Sequence, residues 1–252
     1  METNENLEVP TEQTSSLLTR ITNVFASPGE LFTELKESKP QTTSWLIPLI
    51  ISILMAFFVI AAIQLNESLK FQVKEIQAEK MQELVQEGRM TQEQADMATS
   101  RTGSSQSFII FGGISATIMT IVLFFLITLI FWLAAKFGLK FTGGYTKILE
   151  LYGLTTLITS LGSIVTVLLM YVFDSIRVTP SAAIFVYESF DIKNNFHIIM
   201  SQLNIFTIWQ IGILGYGLAK LSNKPTSAGL VLSYALWLIW VIASTFMGLG
   251  FR

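Results

Sequence analysis

The chain has 252 residues, of which 51% are hydrophobic and only 13% charged, with a net charge of −2, one histidine and no cysteine. Soluble domains carry about 25% charged residues, so a soluble fold would need a nearly uncharged surface. The missing cysteines exclude disulfide scaffolds and thiol catalysis, and the absence of a Lys/Arg cluster argues against nucleic acid as a partner.

Residues 1–15 are polar and unpatterned and read as a disordered tail. A short amphipathic helix follows from Ser16, with Leu17, Ile21, Val24 and Phe25 on one face. Ser27-Pro28-Gly29-Glu30 has the form of a capping box. It opens a second short helix that presents Leu31, Phe32 and Leu35 before Lys36, Lys39 and Pro40. Two amphipathic pieces just ahead of an apolar run are expected on the membrane surface; a cap packed on the loops is the other reading. Residues 1–43 form this N-terminal tail.

Five stretches contain no Asp, Glu, Lys, Arg or His: 45–65, 108–135, 151–173, 198–219 and 228–251. They run from 21 to 28 residues, and about 20 apolar residues cross a bilayer core as a helix. The expected fold is all-α: a polytopic membrane protein with a five-transmembrane-helix bundle over 44–251. The first run begins only at Trp45, so it serves as the targeting signal and no cleavable leader is expected.

Between the first two spans, residues 66–107 read as a helical hairpin. Leu65, Leu69, Val73 and Ile76 repeat at helical spacing, so the first span should continue as an amphipathic helix to about Glu87. Gly88 supplies its stop. Thr91-Gln92-Glu93-Gln94 is a second capping box, and Arg101 to Ser107 a Ser/Gly loop. The connection 174–197 is mixed, and Ala182–Tyr187 is too short to cross. Ser222 to Ser227 is a tight turn that makes the last two spans antiparallel neighbours.

Lys136, Lys140, Lys147, Lys220 and Lys224 lie in the short connections on the N-terminal side, whereas 174–202 holds only Arg177 and Lys193. The positive-inside rule then puts the N-terminus in the cytoplasm and Arg252 outside, with the 66–107 hairpin extracytoplasmic. Trp45 and Trp132 share the cytoplasmic interface.

Catalytic inventories are empty. His197 stands alone, without a nucleophile on a strained turn or companion metal ligands. No phosphate-binding loop occurs, and no acid lies inside a span, Glu150 being at a helix end. No cofactor is expected. Thr156, Thr159, Ser160 and Ser163 recur at helical spacing on the third span, and Gln210 sits inside the fourth. Such a polar stripe either packs helices together or lines a pathway. Gly212, Gly215 and Gly217, and Gly112 with Ala116, are small residues at close-packing spacing, with Leu214 expected to face lipid.

Four segments resemble the Yip family, the Ypt/Rab-interacting membrane proteins, in its bacterial form. They are Val24-Phe25-Ala26-Ser27-Pro28-Gly29-Glu30-Leu31-Phe32, the turn Phe141-Thr142-Gly143-Gly144-Tyr145, the run Leu203-Asn204-Ile205-Phe206-Thr207-Ile208-Trp209, and Gly217–Ala219 before the short turn to the last span. Their order covers roughly Ile21 to Gly250. The resemblance implies five spans, a cytoplasmic N-terminus and a bacterial inner membrane. It also implies contacts with other membrane proteins, or between copies of the chain. Eukaryotic members carry Asp-Leu-Tyr-Gly-Pro, which is absent here, so GTPase binding is not expected. The functional expectation is a non-enzymatic scaffold or adaptor, with Gly143, Gly144, Tyr145, Gly212, Gly215 and Gly217 as its packing and interaction residues. A permease using Thr156, Thr159, Ser160, Ser163 and Gln210 is the alternative.

Overall fold

The computed structural model describes residues 15–102 and 105–246. Ten α-helices follow one another, without a β-strand among the described residues. They are α1 (Leu17–Ala26), α2 (Pro28–Glu37), α3 (Thr43–Leu65), α4 (Glu67–Gln86), α5 (Gln92–Thr102), α6 (Ser105–Gly138), α7 (Tyr145–Phe173), α8 (Asn195–Gln202), α9 (Ile205–Leu221) and α10 (Thr226–Phe246). Two 3-10 pieces joined at Val186 fill Ala182–Ser189.

Among the described residues, four helices are long and apolar enough to cross a bilayer: α3, α6, α7 and α10. The expected fourth span is divided. Leu203 leaves helical geometry and Asn204 is extended, its side chain accepting from the Phe206 and Thr207 amides at 2.9 and 3.4 Å. The chain segment 180–182 splints this break, with Ile205 N donating to Pro180 O and Ala182 N to Leu203 O. What remains, α9, has 17 residues and rises about 25 Å at 1.5 Å per residue, less than a core of about 30 Å. The Asn204 cap is the physical reason: it offers the backbone a better start than continuation from α8. The expected fifth span reaches Phe246 in α10, and 247–251 lie outside the described residues.

The helix that was to run unbroken from the first span to Glu87 stops at Leu65 and restarts at Glu67. Asn66, at φ −107° and ψ 116°, takes the Ser68 and Leu69 amides on its side chain. Gly88 ends α4 with φ +69°, a conformation that favours glycine, and Arg89 N reaches Leu84 O at 3.0 Å. Thr91 and Gln94 form the reciprocal box, with amide-to-side-chain bonds of 3.0 and 3.2 Å. The Ser27 box does not form. Ser27 makes no side-chain cap, and α2 starts on Pro28 at its first position instead. Helices also cover most of the expected Arg101–Ser107 loop, and only 103–104 lie between them, outside the described residues.

α7 is the centre of the bundle, packed against α3, α6 and α9. Leu151, Leu154 and Ile158 on it have no exposed surface. Its backbone approaches α3 closely at Gly153, where a Cβ would stand 2.7 Å from the Trp45 Cα. α9 and α10 meet as tightly. A Cβ on Gly215 would come within 2.9 Å of the Gly229 carbonyl oxygen and 3.1 Å of the Leu230 Cα. Without a hydrophobic drive between helices in lipid, such small-residue seams supply the contact.

α1 and α2 do not lie apart from the bundle. They form a V that caps one end of it, packed on α7, α9 and the start of α3. Leu31, Phe32 and Leu35 are fully buried. α2 runs beside the last turns of α9: a Cβ on Gly29 would touch the Tyr216 hydroxyl, Phe32 meets the Tyr216 ring edge-on, and Lys36 donates to Asn223.

Candidate functional site

The capped end is built around Arg20. In an amphipathic helix the position between Leu17 and Val24 on the packed face should not hold a guanidinium, and this one has no exposed surface. Its Nε and Nη2 donate to Glu34 Oε1 at 3.0 and 2.8 Å. Its Nη1 donates to the Ser44 hydroxyl at 2.8 Å and to Glu150 Oε1 at 3.4 Å. Four pieces of chain, α1, α2, α3 and α7, therefore share one fork.

Glu150 is equally buried. Its Oε1 also accepts the Gln41 amide at 2.6 Å, and its Oε2 accepts from Lys147 Nζ at 3.1 Å. Glu34 completes the set with the Ser15 amide and hydroxyl at 3.0 and 2.6 Å. Burial pushes the Glu34 carboxyl up, but the Ser15 and Arg20 hydrogen bonds outweigh it and leave its pKa below the ordinary value of 4.5. Arg20 and Lys147 balance Glu34 and Glu150. A buried charge is tolerated only when paired and hydrogen-bonded, and here both conditions hold.

Sequence reading missed this cluster. Glu150 stands one residue before an apolar run and reads as a helix end, whereas α7 begins five residues earlier at Tyr145. The available signal was Arg20 itself, placed between Leu17 and Val24 on the side that packs.

The Gly143-Gly144-Tyr145 turn is only partly buried, with Gly144 exposed, and is tied to the bundle by hydrogen bonds. Gly143 O accepts from the Trp132 indole at 3.3 Å, Gly144 is the N-cap of α7, and the Tyr145 hydroxyl donates to Phe125 O at 2.9 Å. Gly212, Gly215 and Gly217 also face neighbours: the Tyr234 hydroxyl, the α10 backbone and the Leu151 side chain. Leu214, expected at the lipid face, is fully buried. On the second span the close approach falls on Gly113, against the Phe57 ring, and not on Gly112.

The hydroxyls of the third span bond backward along their own helix. Thr156 donates to Gly153 O, Thr159 and Ser160 to Thr156 O, and Ser163 to Thr159 O, at 2.6 to 3.2 Å. Thr156, Ser160 and Gln210 are buried. His197 takes the Asp191 amide on Nδ1 at 3.0 Å and stacks on Phe190, so its ring fixes the 190–197 turn. No group of three or more His, Asp or Glu that could hold a metal occurs among the described residues.

The Yip1 domain model matches residues 22–247 of the chain. This protein belongs to the Yip1 domain family. The match begins inside α1 and ends just beyond α10; it takes in α2 with Glu34, Ser44 and Glu150, while Arg20 lies two residues ahead of it. No curated protein and no solved structure matches the chain. With its apolar helices, this Yip1-domain chain is a multi-pass membrane protein.

Proposed function

We propose that this Yip1-domain protein is a non-enzymatic membrane scaffold or adaptor whose capped end is its docking face, acting in membrane organisation or trafficking. One observation carries the reading: a buried, charge-balanced cluster clamps the α1–α2 cap to the membrane bundle. A clamped cap presents a fixed surface, and preorganised surfaces bind with less ordering cost. That surface has two stripes at helical spacing. Leu18, Thr22 and Phe25 are exposed on α1, and Glu30, Thr33 and Glu37 on α2. Its partners are other membrane proteins or a second copy of the chain. The lysine distribution supports a cytoplasmic docking face, with the N-terminus inside and the C-terminus outside; the bacterial inner membrane as its location rests on the family resemblance alone.

The third-span hydroxyls donate to carbonyls of their own helix and Thr156 also accepts from Ser52 of α3 at 3.4 Å, which favours helix packing over a permease pathway. Photo-crosslinkers at Thr22 and Thr33 in native membranes test the proposal, read by mass spectrometry. The expected result is capture of one membrane protein at both positions. Solute-specific flux in proteoliposomes, abolished by Thr159→Leu and Ser163→Leu, would overturn it.

A further inference from the structure

We propose that the notch between the end of α6 and the start of α10 seats one anionic phospholipid. This goes beyond the adaptor reading and does not depend on it. The notch has a volume of about 400 Å³ and is lined by Gly138, Leu139, Ser227, Ala228, Val231 and Leu232. It opens outward: Val231 is 69% exposed and Gly138 lacks a side chain to close it. Its floor is aliphatic and suits an acyl chain, while Ser227 adds a hydroxyl donor near the rim.

Charge complementarity names the headgroup. Lys140 follows Leu139 directly, and Lys224 precedes Ser227 by three residues. Both are exposed, and neither takes part in an ion pair among the described residues. Lys39, also exposed, sits between α2 and α3 and borders no lining residue of the notch in the chain, and four further lysines of this end have partners. Lys147 is bound to Glu150, Lys36 to Asn223, and Lys136 and Lys220 lie over the Trp132 and Tyr216 rings. Two uncommitted cations beside an apolar notch fit a phosphate with a chain attached. Lys140 is held there by a left-handed backbone, φ 56°, at the turn that ends α6.

The probe is dioleoyl phosphatidylglycerol, titrated into the purified protein in detergent and read by native mass spectrometry. Dioleoyl phosphatidylcholine is the neutral-headgroup arm and glycerol 3-phosphate the chain-free arm. One phosphatidylglycerol should bind per chain, well ahead of phosphatidylcholine, with glycerol phosphate unable to compete. Each lysine beside an anionic headgroup is worth about a fivefold affinity change, so Lys140→Gln with Lys224→Gln should weaken binding about twenty-five-fold. Val231→Trp fills the notch from an exposed position that the fold does not use, and should abolish binding with the melting temperature unchanged. Lys36→Gln should leave binding intact. Equal binding of the two lipids, full competition by glycerol phosphate, or equal loss in Lys36→Gln would overturn the proposal. Crosslinks from Val231 to a protein in place of lipid would do the same.

Discussion

The two ends of the bundle are tied down in opposite ways. At the capped end Arg20, Ser44 and Glu150 are fully buried, and of the groups the fork touches only the Glu34 carboxyl, 23% exposed, meets water. At the other end, α4 is fastened to the 174–193 connection by groups on the surface. Ser68 donates to Asp174 at 2.7 Å, Gln72 exchanges bonds with Asp174 O and the Ile176 amide, and Lys193 reaches Glu83 at 3.7 Å. Water can replace any of the latter bonds, but not those of Arg20 to Ser44 and Glu150. One end is therefore fixed by contacts whose loss strands a charge, and the other by contacts whose loss is compensated.

The largest effect should follow Arg20→Ala. It leaves two acids, Glu34 and the fully buried Glu150, with Lys147 as the one cation of the cluster, and breaking one partner of a buried ion pair costs about 3–5 kcal/mol. Thermal unfolding in detergent should show it, and Arg20→Lys should rescue little, because an ammonium cannot reach Glu34, Ser44 and Glu150 together. A loss in Arg20→Ala no greater than at an exposed cap position such as Thr22→Ala would erase the difference between the ends. The pair need not be a net stabiliser against apolar replacements for this to hold; the cost comes from orphaning the remaining charge.

Gly215→Leu asks whether neutral close packing matters as much as the ion cluster. The new side chain meets backbone of α10, which cannot step aside as a flexible side chain would. Overpacking costs about 1–3 kcal/mol, so the melting temperature should fall, though less than for Arg20→Ala. Leu214 cannot serve as the lipid-facing control because it is buried; Leu238, half exposed on α10, can. Leu238→Phe should be neutral, and equal stability of the two variants would place Gly215 at a lipid face.

Helix existence and apolar segments were legible because charge-free runs leave few alternatives to a span. α3, α6 and α7 contain theirs, and the Thr91 box formed as its spacing requires. What escaped was set by single side chains acting across the fold. Asn66 and Asn204 break runs that hydropathy joins, since an amide cap competes with continued helix without changing the mean apolarity. Arg20 and Glu150 lie 130 positions apart in the chain, so no local window relates them. The glycines were recognised as close-packing, yet which one touches what depended on the register of α9 against α10, which periodicity alone does not fix.

Acid should loosen the capped end by way of Glu34. Its folded pKa lies below its unfolded value of 4.5, so its contribution is complete above that value and is lost as pH falls through the lower folded one. The carboxyl is partly exposed, which keeps the effect small. Melting the wild type and Glu34→Gln from about pH 7 to about pH 3.5 should show their difference shrinking on acidification. A constant difference would mean that Glu34 holds the cap by shape and not by charge.

The smallest effect should come from the opposite end, at Lys193 and Glu83. Lys80 and then Lys193 hold the Glu83 carboxyl below its usual range, but the Lys193 side chain is 79% exposed and the contact is long. Exposed pairs of this kind trade Coulomb attraction against side-chain entropy and are screened within a Debye length of about 8 Å at physiological salt. Lys193→Gln should therefore leave the melting temperature within error at physiological salt, and any loss seen at low salt should vanish as salt is added. Glu83 keeps Lys80 at 3.2 Å in the variant, so no charge is stranded. A salt-independent loss comparable to that of Arg20→Ala would mean that the 174–193 connection is clamped as firmly as the cap, and the contrast between the two ends would fail.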